Sequence, residues 1–393
     1  MNLFKISLKN VLFRPYSAAL TIILFAVGVA LTSFLLLVGD ALDEGFKKNI
    51  KGIDMVVGAK GSPLQLILAS VYHIDNPTGN ISKAEADKLA KHPLVKESVQ
   101  LSFGDSYKGR RIVGTSTDYL DWYSAELSAG NLYDKPFESV IGADVAREFN
   151  LKIGDTFYSA HGSDASAEVH GDHPFTVTGI LEQNGSVLDQ LLLTGPESIW
   201  EVHESHGDSV DKEITSMLIK FKSKMAMISL PRMVNEKTSM QSALPSIEVN
   251  RLFELFGVGI STLQIIAMSL MILGGISVFV SLYSSLKDRA YEMALIRSLG
   301  AGKSSLFLMI LIESLFLGAL GTIIGIIIAH GSLKLLELFS SANLGIHVSV
   351  FKFASGEGIL ILAAIALSIL AALIPARSIL KIDVSKVLSD YAN

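Results

Sequence analysis

Four long stretches without charged side chains constrain this chain more than any other feature. They cover residues 17–39, 255–286, 304–330 and 358–376, and a single carboxylate, Glu313, interrupts the third. A helix of about 20 apolar residues is long enough to cross the hydrocarbon core of a bilayer. Half of all residues are hydrophobic and only 18% are charged, which exceeds the apolar content that a soluble core needs. The sequence therefore predicts four transmembrane helices.

Two alternatives for these stretches are weaker. A cleaved signal peptide has a shorter apolar region followed by small residues, whereas Asp40, Asp43 and Glu44 follow the first stretch directly. Buried helices of a large soluble enzyme would carry a polar face at a period of 3.6 residues, and the second and fourth stretches carry none. An uncleaved, membrane-spanning first helix is the better interpretation.

The distribution of positive charge predicts the orientation. Lysine and arginine concentrate before the first span, between the second and third spans and after the fourth, which places these segments in the cytoplasm. The basic residues are Lys5, Lys9, Arg14, Lys287, Arg289, Arg297, Lys303, Arg377, Lys381 and Lys386. The predicted cytoplasmic segments are 1–16, 287–303 and 377–393, and the predicted extracytoplasmic segments are 40–254 and 331–357.

Residues 40–254 are numerous enough for an extracytoplasmic domain of one or two α/β modules. Runs rich in β-branched and aromatic residues predict strands at Val95–Phe103, Arg111–Thr115, Phe175–Leu181, Gln190–Thr194 and Ser216–Phe221. Ser82 and Glu85 have the spacing of a capping box, which predicts a helix through about Lys91, and a second short helix is predicted over Gly142–Asn150. The predicted fold class is an α+β membrane protein with a mixed α/β domain between helices 1 and 2.

Five histidines fall close together in this domain, interleaved with carboxylates. They are His161, His170, His173, His203 and His206. The chain has no cysteine, so a metal site here would use imidazole and carboxylate ligands, as zinc can. The competing interpretation is a solvated polar loop, because Gly162–Asp172 is rich in small and charged residues. The sequence therefore leaves two interpretations of this region open, a zinc site and a solvated polar loop.

The segment between the second and third spans, Lys287–Lys303, carries the most informative pattern. It predicts a short amphipathic helix in which Arg289 and Glu292 pair across one turn, Met293 and Ile296 form an apolar face, and Gly300 ends the helix. A cytosolic partner could hold such a helix.

This segment resembles the Arg-x-x-Glu-[Ile/Met]-Ala-x-[Leu/Ile]-Arg-x-Leu-Gly-Ala stretch of FtsX-like permeases, the group that contains the MacB, LolC and LolE proteins. The matching residues are Arg289, Glu292, Met293, Ala294, Ile296, Arg297, Leu299, Gly300 and Ala301. The stretch Ile374–Leu388 is similar to the closing segment of the family, with Val384 in place of the common proline. Ile112–Tyr119, Ala129–Leu132, Ile141–Ala146 and Leu151–Asp155 look like parts of the MacB-like periplasmic core domain.

The resemblance implies the permease subunit of an ABC transporter in a bacterial inner membrane, with its large domain in the periplasm. It implies that Lys287–Lys303 is the coupling helix that docks on a separate ATPase, and that two permease subunits pair as a homodimer or heterodimer. A periplasmic or outer-membrane partner is a further expectation. The cargo would be a lipoprotein, peptide, lipid or metal-related compound; alternatively, the chain would be a mechanotransmission scaffold that regulates an envelope hydrolase without transporting a substrate.

Catalytic motifs are missing from the sequence. Gly300–Ser304 is only a fragment of a phosphate-binding loop, and it follows a predicted helix where a strand should be. The chain is therefore expected to be a non-catalytic subunit that carries no cofactor, with ATP and magnesium bound by the partner. A net charge of −5 without a basic stripe argues against nucleic acid as a ligand.

Glu313 is the one carboxylate inside a predicted span. An ionisable residue at membrane depth costs several kcal/mol unless it is paired, so it is a functional candidate. Two roles are open from the sequence, a structural contact across a helix interface and the handling of a substrate or proton. Gly318, Gly321 and Gly325 give the same span a face of small residues that suits close packing against another helix.

Overall fold

A computed structural model describes residues 3–160, 173–203, 212–340 and 353–380 of the chain. The described residues form two compact units. The helical unit contains residues 3–42, 256–339 and 353–380, and the α/β unit contains residues 43–160, 173–203 and 212–255. Two long helices run from one unit into the other.

Helices and strands alternate along much of the chain between the apolar helices. The helices are α1 (Leu3–Phe13), α2 (Pro15–Ile50), α3 (Pro63–Ser70), α4 (Lys83–Ala90), α5 (Asp118–Trp122), α6 (Ala143–Phe149), α7 (Pro196–His203), α8 (Ala226–Lys237), α9 (Pro245–Asp288), α10 (Ala290–Ser298), α11 (Lys303–Ser340) and α12 (Glu357–Ile379). The strands are β1 (Met55–Ala59), β2 (Ile81–Ser82), β3 (Val95–Tyr107), β4 (Arg110–Thr115), β5 (Leu127–Gly130), β6 (Glu138–Ile141), β7 (Thr156–Phe157), β8 (Phe175–Leu181), β9 (Leu192–Thr194), β10 (Glu213–Ile214), β11 (Ser216–Phe221) and β12 (Met240–Ala243). Val187–Gln190 forms a 3-10 turn.

Four helices of the described chain are long and apolar enough to cross a membrane. They are α2, α9, α11 as far as Leu336, and α12. Each of the four charge-free stretches lies within one of them, but α2 and α9 continue well past the last apolar residue and reach the α/β unit. The apolar run therefore defines only the part of a helix that suits lipid, and the helix itself extends beyond that run.

Glycines allow these helices to pack at close range. A Cβ on Gly28 would lie 2.6 Å from the backbone of Met271, and a Cβ on Gly274 would lie 2.8 Å from Cα of Phe25, so α2 and α9 meet backbone to backbone. On α11, Gly321 and Gly325 lie against α2, whereas Gly318 lies against Ser368 of α12. The glycine face of the third span thus serves two neighbouring helices.

The segment before the first span is itself helical. In α1, the hydroxyl of Ser7 donates to the carbonyl of Met309 at 3.1 Å, and Arg14, at the break before α2, pairs with Asp288 at 2.5 Å. Phe13 and Tyr16 remain almost fully exposed in this region. These apolar and basic side chains are typical of a helix at the surface of a bilayer.

The α/β unit is built on one mixed sheet with the strand order β12-β1-β11-β3-β4-β9-β6-β8-β5, in which β7 also pairs with β8. Most neighbours are antiparallel, while β4 pairs with β9 and β6 with β8 in parallel. In β1, Val56 packs into one core together with α3, and Met55 and Val57 pack into another together with α4 and α8. Because both faces of the sheet are covered by helices, β1 is buried along nearly its whole length.

The predicted fold class is confirmed: the chain has four apolar helices and a sheet-rich α/β domain that follows the first of them. All five predicted strands overlap observed strands. The capping box is wrong, because the Ser82 side chain accepts no hydrogen bond at the start of α4. Ser82 pairs instead with Glu213 of β10, and the carboxylate of Glu85 accepts a hydrogen bond from Ser239 at 2.6 Å.

Candidate functional site

A short helix, α10, connects α9 to α11. At its start Arg289 leaves the helical conformation, with φ −106° and ψ 12°, and separates α9 from α10. At its end the amide of Gly300 donates to Arg297 and the amide of Ala301 donates to Ile296, which is a Schellman motif. Gly300 has φ +99°, a conformation that residues with a Cβ rarely adopt. Arg289 and Gly300 thus delimit α10 at its two ends.

Arg289 connects α10 to the third apolar helix. Its guanidinium contacts the carboxylate of Glu313 at 3.3 Å and that of Glu292 at 3.3 Å. Arg289 and Glu313 are 8% and 3% exposed, so this ion pair is buried. Of the two roles that the sequence leaves open for Glu313, the geometry favours the contact between helices. Oε2 of Glu313 has no hydrogen-bond partner among the described residues, so the pair uses one carboxylate oxygen.

The buried face of α10 packs into the helical unit. Met293 and Ala294 are fully buried, and Met293 belongs to the same apolar cluster as Leu286, Leu306 and Met309. These apolar contacts and the Arg289 ion pair both hold α10 on the ends of α9 and α11. Met293 therefore acts by packing within the chain and is not accessible to a partner.

The opposite face of α10 is exposed and apolar. Tyr291, Leu295 and Leu299 lie four residues apart and are 41%, 44% and 80% exposed. Residues at this spacing share one face of a helix. We call these three residues the α10 stripe. Sequence reasoning missed Tyr291 and Leu295, although the spacing of four was a signal that could have identified them.

The remaining residues of the predicted coupling set fall between these two faces. Ile296, Arg297 and Ala301 are half-buried, and Glu292 and Gly300 are exposed. The set thus contains residues that shape and hold α10 as well as one member of the α10 stripe, Leu299. Its residues have different structural roles even though they form one motif in the sequence.

A second buried polar cluster lies at the other end of the apolar helices. The carboxylate of Glu357, at the start of α12, is fully buried and accepts hydrogen bonds from Ser33 of α2 at 2.5 Å and from the amide of Ala354 at 2.9 Å. His330 of α11 contacts the same carboxylate at 3.1 Å. Glu357 therefore links three of the four apolar helices.

The five histidines proposed as zinc ligands lie mostly outside the described residues. This is the case for His161, His170 and His206, and the side chain of His203 is also not described. His173 stacks on the ring of Phe137 with the ring centroids 5.0 Å apart. Within residues 3–160, 173–203, 212–340 and 353–380, no group of three or more potential ligands could hold a metal ion.

A different histidine, His73, is buried in the α/β unit. Its Nε2 is 3.1 Å from the hydroxyl of Tyr119, and its ring lies edge-on to Phe103. Burial, and to a lesser degree the positive charge of Arg111, lowers the pKa of His73 to about 3. His73 has φ +57°, a left-handed conformation. The imidazole is therefore neutral in the folded domain at any physiological pH.

We expect the α/β unit to lose stability on acidification because of His73. The unfolded chain protonates His73 below pH 6.5, its ordinary pKa, and the folded domain does so only near pH 3. The free energy of unfolding should fall by up to about 1.4 kcal/mol per pH unit between these values. Both tryptophans, Trp122 and Trp200, lie in this unit, so urea unfolding of the whole protein followed by their fluorescence measures it.

His73→Asn is the matched control, because asparagine tolerates the left-handed conformation but does not titrate. The variant should show a clearly shallower decline of stability between pH 6.5 and pH 4. Equal slopes in the two proteins would mean that other groups cause the acid sensitivity.

Four apolar helices and a mixed α/β domain inserted after the first of them define a multi-spanning membrane protein with a large domain outside the bilayer. Two family models match the chain. The MacB-like periplasmic core domain matches residues 18–230, and the FtsX-like permease C-terminal domain matches residues 264–384. The first match alone covers more than half of the chain. The chain therefore belongs to the FtsX-like, MacB-type family of ABC transporter permeases.

Individual relatives match only part of this chain. The ABC transporter permease YtrF of Bacillus subtilis (strain 168) is 33% identical over 89 residues, which cover 23% of this chain and 20% of YtrF. Among solved structures, the periplasmic region of MacB from Actinobacillus actinomycetemcomitans is 15% identical with a TM-score of 0.35 and covers 53% of this chain and 97% of its own. The extracellular domain of the noncanonic ABC-type transporter YknZ from Gram-positive bacteria is also 15% identical, with a TM-score of 0.32 and coverages of 48% and 98%.

Proposed function

We propose that this chain is the membrane subunit of an ABC transporter whose ATP-hydrolysing subunit binds α10. The observation that carries the proposal is the α10 stripe, an exposed apolar face on a helix whose other face is fixed to the membrane helices. An exposed row of large apolar side chains on a short surface helix is typical of a helix that lies in a groove of a partner.

The way α10 is held supports a mechanical role. A helix that merely bound a partner would not need a buried ion pair to a membrane helix. Arg289 contacts Glu313, and Met293 packs against buried residues of α9 and α11. A displacement of α10 would therefore act directly on both helices. Helix α9 continues into the α/β unit, so it provides a continuous helical path to the large domain.

The orientation and assembly belong to the same proposal. The excess of lysine and arginine beside α10 and before α2 supports a cytoplasmic α10 and an α/β unit outside a bacterial inner membrane. Two copies of the chain, or this chain and a related one, would pair with each other, and each α10 would bind one ATPase subunit. The complex would use the movement that ATP hydrolysis drives to export or extract a cargo at the outer face of the membrane.

Charge in the α10 stripe should abolish binding of the ATPase. We expect Leu295→Glu combined with Leu299→Glu to remove the ATPase from the complex purified by a tag on this chain, because carboxylates cannot be desolvated in an apolar groove. Leu295→Met with Leu299→Met is the matched control and should retain the ATPase, since size and polarity are nearly kept.

Retention of the ATPase by the double glutamate variant would contradict the proposal. For the unaltered chain, a complex that contains the ATPase and hydrolyses ATP but moves no cargo in reconstituted vesicles would favour the mechanotransmission scaffold over the transporter.

A further inference from the structure

The N-terminus of α8 lies at the end of the sheet where the chain enters the domain from α2 and leaves it into α9. The strand register places Phe221, the last residue of β11, beside Val95 at the start of β3, and places Met55, at the start of β1, opposite Ile219. Ala243, the last residue of β12, pairs with Val56 at the same end. The turn after β11 and the first residues of α8 are therefore at the end of the sheet where the chain arrives from α2 and departs into α9.

This end of the sheet is close to the bilayer by chain length alone. Helix α9 begins at Pro245, two residues after β12, and its charge-free stretch begins at Leu255. Ten helical residues span about 15 Å along the helix axis. The headgroup region adds about 5–8 Å beyond the hydrocarbon core on each side. The first residue of α9 is thus no more than about 10 Å from the lipid headgroups.

The side chains at this end have the chemistry of a membrane surface contact. Met225, Met227 and Ile228 are 71%, 40% and 78% exposed, although the helix they begin buries Ala226 and Leu230 in the domain core. Two lysines that directly precede them, Lys222 and Lys224, are exposed as well. Apolar side chains flanked by lysines are typical of segments that lie in the interface of an anionic bilayer.

The acidic groups nearby do not cancel this positive charge. Glu97 pairs with Lys220 at 3.0 Å, and the carboxylate of Asp54 accepts a hydrogen bond from the amide of Phe221 at 2.7 Å. Both carboxylates are thus engaged within the domain. Lys222 and Lys224 leave the tip of the turn cationic, which favours an anionic surface over a cationic or a neutral apolar one.

We propose that Lys222, Lys224, Met225, Met227 and Ile228 form a membrane-contact tip, through which the α/β domain rests on the bilayer that anchors its two tethering helices. The lysines contact anionic headgroups and the three apolar side chains enter the interface. The domain is then held to the membrane at three points, α2, α9 and this tip, and a movement of α9 tilts the domain about the tip.

Site-directed spin labelling of the full chain tests this proposal, because the chain has no cysteine and each label is unique. Ile228→Cys carries the label at the tip, and Lys237→Cys, at the other end of the same helix, is the matched control. In nanodiscs of phosphatidylcholine and phosphatidylglycerol, we expect the label at 228 to collide several-fold less with a water-soluble nickel chelate than the label at 237, and to collide more with oxygen.

The lysines supply the second readout. Each lysine near an anionic surface favours binding about fivefold, so Lys222→Gln with Lys224→Gln should lower the ratio of lipid-bound to unbound tips about 30-fold and increase access of the nickel chelate to the label at 228. Equal access at 228 and 237 in the nanodiscs would overturn the proposal. Protection at 228 that persists in lipid-free amphipol would also overturn it, since the tip would then be covered by protein.

Discussion

Arg289→Ala is expected to destabilise the helical unit by about 3–5 kcal/mol, because it leaves the carboxylate of Glu313 buried without its cation. The remaining carboxylate would lie in a site that is 3% exposed, where solvent has little access to it. Loss of helical circular dichroism during titration with a denaturing detergent measures the effect, since both tryptophans lie in the other unit.

The double variant Arg289→Met with Glu313→Leu distinguishes charge from packing. Replacement of a buried ion pair by apolar residues of similar volume is often neutral, so most of the lost stability should return. Arg297→Ala, on the same helix but half-buried, is the control and should cost no more than about 1 kcal/mol. A double variant as unstable as Arg289→Ala alone would show that the ion pair itself contributes net stability, because methionine keeps an apolar stem at position 289 and leucine removes the unpaired carboxylate.

Gly28→Leu should prevent the helical unit from assembling. A Cβ at this position would lie 2.6 Å from the backbone of Met271, and backbone atoms of a neighbouring helix cannot move aside as a flexible side chain would. The helices α2 and α9 would have to separate along the length of their contact. We expect a loss of about 3 kcal/mol or more, seen as aggregated protein in size-exclusion chromatography.

Gly39→Leu, on the same helix, is the matched control. No described atom lies within 4 Å of a Cβ built at Gly39. Since leucine favours a helix over glycine by up to about 1 kcal/mol, this variant should be as stable as the parent or slightly more stable. If both leucine variants assemble normally, α2 and α9 do not depend on their close approach.

Much of the architecture was predictable because local patterns and solvent preference determine it. Four charge-free stretches specify four apolar helices whatever their neighbours are, and runs rich in β-branched and aromatic residues such as Phe175–Leu181 favour strands. Gly300 fixed the end of α10 through its own backbone conformation. The Ser82–Glu85 capping box is wrong because Glu85 accepts a hydrogen bond from the hydroxyl of Ser239, and Ser82 pairs with Glu213 in a neighbouring strand. Both are tertiary contacts.

The candidate site was only half predictable, for a physical reason. Sequence placed Arg289, Met293 and Glu313 in the right segments, but it could not say that Arg289 reaches Glu313 across 24 residues or that Met293 faces inward. An amphipathic period shows that a helix has two faces and leaves open which face the rest of the protein covers.

By itself, then, the sequence determined the number of apolar helices, the place of the inserted domain and the end of α10 at Gly300, since each depends on the chemistry of neighbouring residues. Only the tertiary structure decided the partner of Glu313, the three helices joined by Glu357 and the exposed α10 stripe. These depend on which distant surfaces meet, and the free energy of such contacts is set by the packing of the whole unit rather than by any segment of it.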